Sequence, residues 1–291
     1  MRCRLLSPMV FLASMAARLP QAWLWSLSGM LSWLCWPLLS HRRRVARINI
    51  AACFPDLDER HRRRLLIANQ RATVMGVLEL VRAWYAPSTT LMDMARIEGI
   101  EHLQEALAQG RGVLLFTGHF THTELAVRLL SQALARSIGG VVRRHNAPCL
   151  EAEFTRARSR VFGPVFEKKD IRGLLRALQS GQIVVYSADQ NFTYQHAFVP
   201  FFGIPAATLI STPDLVSRGN AVMLPFWFYR DAGGKYQIRI EQAWPGWCEP
   251  NAESAAIYMR ELETVIREHP EQYLWMHRRF RTRPPGDMSF Y

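Results

Sequence analysis

The stretch Gly112-Val113-Leu114-Leu115-Phe116-Thr117-Gly118-His119-Phe120-Thr121-His122-Thr123-Glu124-Leu125-Ala126 decides the reading of this chain. A glycine followed by four apolar residues reads as a short buried strand over 112–117. It stops at Gly118 and His119, after which Leu125, Leu129 and Leu130 set a helical period. A histidine therefore stands at a strand-to-helix turn with a carboxylate five positions later. Five residues cover about 500° of helix, so His119 and Glu124 meet only if His119 precedes the helix and Glu124 lies in its first turn. The carboxylate then holds the imidazole tautomer and makes the other ring nitrogen a better base. Acyl transfer to a hydroxyl needs such a base. Two other readings fit the same residues. Thr121-x-x-Glu124 is a capping box, which makes Glu124 a helix-start device. His119, His122 and Glu124 also form a candidate metal set, although the spacing is not His-Glu-x-x-His.

Outward from this stretch, residues 58–86 carry a helical apolar stripe that includes Leu65, Leu66, Ala72, Met75, Leu78 and Val81. Strands are predicted at 112–117, 139–143, 182–187, 221–228 and 235–241, and helices at 123–136, 147–160, 171–179, 208–218 and 253–268. The alternation predicts an α/β fold with a largely parallel sheet flanked by helices. Tyr229 and Tyr236 flank Asp231-Ala232-Gly233-Gly234, which reads as a hairpin turn. In such sheets ligands collect at the carboxyl ends of the strands, where His119 stands.

Residues 22–39 hold no charge and four tryptophans, and 5–17 are also uncharged. Eighteen such residues just reach the length of a bilayer span, while the tryptophans equally suit a helix in the interface. Arg42, Arg43, Arg44 and Arg47 follow, so the positive-inside rule keeps the remainder on the cytoplasmic side. The expected organisation is an N-terminal hydrophobic membrane helix within an anchor over 1–41, then a catalytic domain over 42–291. Spanning and interfacial seating stay open.

The net charge of +12 is almost all arginine, since only Lys168, Lys169 and Lys235 are lysines. Arginine's fork suits phosphate and carboxylate. No helix-turn-helix, zinc-finger or RNP signature appears, which leaves anionic lipid or an acidic protein as partner rather than nucleic acid. Five scattered cysteines argue against a disulfide framework.

Arg156, Arg158 and Arg160, with Arg143 and Arg144 at the end of the second strand, form either an anion site beside His119 or a solvated basic face. Asp189 follows the apolar run Ile183–Tyr186, a strand-end position that suits orienting an arginine or an acceptor sugar, or a plain turn residue. Phe192, Phe198, Val199, Phe201, Phe202 and Ile204 read as an apolar loop, either an acyl channel or core. Arg278, Arg279, Arg281 and Arg283 suit a membrane surface or an acidic protein; His277 lacks a nearby acid and reads as structural.

The ordered set Arg42–Asn49, Cys53–Asp56, Gly118-His119-Phe120-x-x-x-Glu124-Leu125, Lys169–Gly173, Asp189-Gln190, Phe198–Gly203 and Pro270–Phe280 resembles the late acyltransferases of lipid A biosynthesis. They are a branch of the glycerolipid acyltransferase superfamily with its His-x4-Asp/Glu signature. The resemblance covers nearly the whole chain. It implies an acyltransferase in the bacterial inner membrane, facing the cytoplasm, with acyl carrier protein as donor and a lipid A precursor as acceptor. It further implies His119 as base and Glu124 as its orienting acid, with no metal or cofactor. Arg156 or Arg158 and Asp189 would bind substrate, and backbone donors near Gly118 or an arginine would hold the oxyanion. The same residues leave open another lipid acceptor, such as a lysophospholipid or glycolipid, or a non-catalytic binder of anionic lipid.

Overall fold

Gly112–Thr117 is buried along its whole length and forms the central strand of a seven-stranded sheet. The computed structural model describes residues 6–291. In chain order the helices are α1 (Leu6–Ala16), α2 (Gln21–Leu34), α3 (Ser40–Cys53), α4 (Glu59–Tyr85), α5 (Ser88–Leu91), α6 (Ile100–Ala108), α7 (Thr123–Leu134), α8 (Pro148–Arg158), α9 (Ile171–Gln179), α10 (Thr212–Arg218) and α11 (Ala252–Glu268). The strands are β1 (Ala95–Glu98), β2 (Gly112–Thr117), β3 (Ile138–Val142), β4 (Val165–Glu167), β5 (Ile183–Ser187), β6 (His196–Phe201), β7 (Ile204–Leu209), β8 (Ala221–Arg230) and β9 (Tyr236–Ile240).

The sheet order is β1-β9-β8-β2-β5-β3-β4, parallel at every pairing except β8–β9. That exception is the hairpin expected around Asp231–Gly234. The near-continuous apolar runs of β2 and β5 follow from cover on both faces. The α/β expectation is therefore met, with helix ends shifted by a few residues. The strands β1 and β4, four and three residues long, are too short to leave a pattern in the sequence, and the nine-residue helix α6 was also missed.

The apolar loop expected around 192–205 is instead the antiparallel hairpin β6–β7, with Val199, Phe201 and Phe202 buried in the core. Its two-residue turn, Phe202-Gly203, has positive φ at both positions (52° and 73°), the geometry of a tight hairpin. Pro200 and Pro205 had masked the strand pattern.

The single N-terminal membrane helix is not found. Pro20 starts α2, and the uncharged run 22–39 leaves the helix after Leu34, with turns up to Ser40 and Pro37 unable to continue it. Fourteen residues of helix reach about 21 Å, short of the roughly 30 Å hydrocarbon core. Among the described residues no helix is long and apolar enough to cross a membrane. Met9, Phe11, Leu12 and Met15 on α1 and Trp23, Met30, Trp33 and Leu34 on α2 are exposed.

The other side of this pair is tied inward. Arg82 of α4 is buried and donates to the carbonyls of Ala17 and Leu19 and to the Gln21 side chain. Gln21 in turn donates to the Tyr236 hydroxyl at 3.2 Å. Helix α4 also reaches the turn after β2, because Gly76 has no side chain: a Cβ there would stand 2.2 Å from the Thr121 carbonyl oxygen. Among the described residues Cys35, Cys53 and Cys248 are free thiols.

Candidate active site

Strands β2 and β5 run parallel in a register that sets Thr117 beside Ser187. Two residues beyond that last pair, the chains present His119 and Asp189 side by side. Asp189 is 1% exposed and the His119 side chain 36%. The His119 backbone N–H donates to Asp189 Oδ2 at 2.9 Å, and ring Nδ1 lies 2.5 Å from Oδ1. Because a carboxylate only accepts, this contact assigns the ring proton to Nδ1 and leaves Nε2 with its lone pair. The Tyr273 hydroxyl donates to Asp189 Oδ2 at 2.8 Å.

Burial pulls the His119 pKa down, but the charge and hydrogen bond of Asp189 outweigh it and leave the value above that of an ordinary histidine. For Asp189, burial pushes upward, and His119 together with Tyr273 brings the net value well below the usual carboxylate range. A partly accessible imidazole on a fully buried, ionised aspartate is the base-and-orienter geometry of general-base catalysis.

The carboxylate that meets the His119 ring is Asp189 and not Glu124, because the parallel register delivers Asp189 to the ring. Glu124 has other partners. Its Oε1 accepts from Arg158 Nε at 3.1 Å and Nη2 at 2.5 Å, and its Oε2 from Trp84 Nε1 at 2.5 Å. The Arg158 guanidinium lies 5.4 Å from the ring centres of both Trp84 and Phe154. Of the two candidate arginines, Arg158 is the one joined to the first turn of α7, with a side chain 12% exposed. Arg156 points outward and pairs with Glu153 on its own helix. Asp189 meets neither an arginine of that helix nor open space; its two oxygens are occupied by His119 and Tyr273.

The capping box is not formed either, since the residue that caps α7 is His122, not Thr121, and it makes no side-chain cap bond. Nor do His119, His122 and Glu124 converge. His122 is buried between the rings of Phe228 and Tyr236, and its Nε2 has no partner. Burial and the nearby Arg230 push its pKa well below the ordinary value. Among the described residues no group of three or more metal-ligating side chains is found.

Three backbone donors that follow Gly118 are already used. His119 N–H goes to Asp189, Phe120 N–H to the Gly118 carbonyl and Thr121 N–H to the Gln272 carbonyl. Beyond Arg158 opens a cavity of about 760 Å³, walled in part by Val142, Arg144, Thr155, Phe162 and Val165.

Tyr273 and Trp84 were not singled out as site residues in the sequence. Tyr273 falls inside the Pro270–Phe280 motif, but nothing local tells that its hydroxyl turns toward residue 189. The basic cluster near the carboxyl end is not one surface. Arg279 is buried and donates to the carbonyls of Gln190 and Ala207 and to Thr208, while Arg283 holds Asp287 and the Pro205 carbonyl. Only Arg278 and Arg281 are exposed.

The family model for bacterial lipid A biosynthesis acyltransferases matches residues 5–282. The chain is 32% identical to the lipid A biosynthesis lauroyltransferase of Escherichia coli (strain K12), over 95% of this chain and 91% of the relative. It is likewise 32% identical to the palmitoleoyltransferase of the same strain, over 88% and 84%. A lipid A biosynthesis acyltransferase of Haemophilus influenzae is 32% identical over 84% and 78%. With His119 set at a strand end on a buried aspartate, and this match running over nearly its whole length, the chain belongs to the bacterial lipid A biosynthesis acyltransferases.

Proposed function

We propose that this enzyme transfers a fatty acyl group from the thioester of acyl carrier protein to a hydroxyl of a lipid A precursor, at the cytoplasmic side of the inner membrane. The observation that carries the mechanism is the His119 ring, locked by Asp189 with Nε2 left as acceptor. Nε2 takes the hydroxyl proton as the oxygen attacks the thioester carbonyl. The C–O bond forms and a tetrahedral oxyanion develops. On collapse the C–S bond breaks, and the thiolate leaves with the proton from His119. In sum the ester C–O and thiol S–H bonds form as the hydroxyl O–H and thioester C–S bonds break, with no change of oxidation state.

With the His119, Phe120 and Thr121 N–H groups engaged elsewhere, Arg158, held in place by Glu124, is suited to the oxyanion or to an acceptor phosphate. Glu124 engages its Nε and one Nη, and Trp84 holds the far oxygen of that carboxylate. Glu124 then acts by fixing Arg158 rather than by touching His119. A fixed cation aimed at developing charge does not reorganise during reaction, which is why such groups contribute strongly.

Membrane seating is supported by the exposed apolar faces of α1 and α2, with Trp23 and Trp33 outermost. Arg43 stacks on Trp36 at 4.2 Å and Arg71 on Trp25 at 4.0 Å, which keeps cations at the rim of the apolar surface. Two short, uncharged, apolar helices lying in the interface, one rich in tryptophan, fit this better than a span.

The test is an in vitro transfer assay with the full chain in detergent, offering acyl carrier protein and coenzyme A thioesters to a phosphorylated, acylated disaccharide and to a lysophospholipid. Mass spectrometry of the products reads the acceptor. An ester formed on the disaccharide, with preference for the carrier-protein donor, is expected. Transfer only to the lysophospholipid would overturn the acceptor, and equal use of coenzyme A would overturn the donor.

A further inference from the structure

The Gln272–Thr282 segment touches both limbs of the His119–Asp189 pair. On the His119 side, Phe120 and Tyr273 form an antiparallel bridge. Thr121 N–H donates to the Gln272 carbonyl at 2.9 Å, and Leu274 N–H to the His119 carbonyl at 3.0 Å. On the Asp189 side, Tyr273 donates to the carboxylate, and Arg279 to the Gln190 carbonyl at 3.1 Å. Asn191 N–H donates to His277 Nε2 at 3.0 Å, and Asn191 and Thr282 exchange two further bonds at 2.8 and 2.9 Å.

The segment is itself held from behind. Asn69 of α4 donates to the carbonyls of Glu271 and Tyr273, and Asn49 of α3 to those of Trp275 and His277. A loop-borne pair is thereby fixed by a third, separately anchored piece of chain.

We propose that this C-terminal strap sets the catalytic geometry, with Tyr273 as a positioning residue that orients and loads the Asp189 carboxylate behind His119. The strap rests on the reading of His119 as base. Its chemistry is specific. A hydroxyl donating to Oδ2 draws charge from the oxygen that faces the imidazole and keeps the carboxylate from rotating. The other titratable or charged groups facing the pair are Tyr258, buried near Asp189, Arg279 on the neighbouring carbonyls, and His277. Burial pushes His277 down to about 4, so it stays neutral as the Asn191 acceptor through the working range.

Tyr273→Phe removes only the hydroxyl, because the ring keeps its contacts with Phe120, Phe201 and Trp275. Single-turnover transfer by the full chain is measured from acid to neutral pH for wild type, Tyr273→Phe and His119→Ala. Without the hydroxyl, more of the Asp189 charge acts on His119 and the imidazolium is held more tightly. The acid limb of the Tyr273→Phe profile then moves to higher pH by about 0.5 unit or more, with kcat down about tenfold and KM within twofold. Unchanged melting separates this from a folding defect. An unmoved acid limb in Tyr273→Phe, with His119→Ala inactive, overturns the strap alone, whatever happens to kcat. Wild-type transfer by His119→Ala overturns the base reading and the strap with it.

Discussion

Two buried clusters in this molecule are built from the same parts, an acid, a cationic or basic side chain and a tyrosine. In one, Glu79 accepts from Arg230 Nε at 2.7 Å, from Nη2 at 3.1 Å and from the Tyr236 hydroxyl at 2.5 Å. In the other, Asp189 accepts from His119 and from the Tyr273 hydroxyl. Both carboxylates are essentially inaccessible. They differ at the cationic end. Arg230 is 5% exposed, and Glu79 holds its proton more firmly still. His119 opens to solvent on one side and carries a group able to release and regain a proton. The first cluster joins α4, β8 and β9, and through Gln21 also α2, so it holds the fold. The second leaves the His119 imidazole partly exposed, as the proposed transfer requires. Similar electrostatics serve architecture or chemistry according to the access and lability of the proton.

The largest effect should come from His119→Ala. Transfer should fall by about 10²–10⁴-fold while the chain stays folded by circular dichroism. Activity within a few-fold of wild type would erase the distinction between the clusters. Glu79→Ala should do the converse. It strands a buried arginine, so unfolding free energy in denaturant should drop by about 3–5 kcal/mol, with transfer per folded molecule far less affected. If stability barely changes, the Glu79 cluster is not the structural one.

The comparison is sharpened by pH. His119 must be neutral to accept a proton and its pKa is raised, so kcat/KM should decline as pH falls, with an inflection above 6.5. The stabilising part of the same pair runs the other way. The His119 cation on Asp189 contributes fully below the ordinary histidine pKa and is lost as pH rises through the raised value. Arg230, its pKa raised by Glu79 against the pull of burial, stays charged throughout that window. A rate profile flat from pH 5 to 8 would remove His119 from the mechanism. The smallest effect separates two arginines. Arg158→Lys loses the fork on Glu124 and should cost about tenfold in transfer, whereas Arg156→Lys, exposed on its own helix, should stay within about twofold. Equal losses would mean that Glu124 does not fix the working arginine.

The sequence by itself determined a good deal. The apolar run 112–117 and the helical stripe of α4 come from local composition, because strand and helix burial each leave a period in the chain. His119 at the end of β2 follows from the same run, and the family follows from motifs spread along the chain. What it could not supply is who meets whom. Asp189 reaches His119 across 70 residues because β2 and β5 share a register and end together, and a register between distant strands is a tertiary fact. Glu124 is nearer in sequence and has the right chemistry, yet Arg158 and Trp84, arriving from α8 and α4, take both its oxygens. The uncharged run 22–39 gave length but not continuity, and the break before Pro37 leaves a helix too short to span. Arg279 looked like surface charge by composition, whereas only packing shows it buried against the Gln190 and Ala207 carbonyls. Local pattern reports which face a residue prefers; the partner on that face is decided when the distant pieces pack.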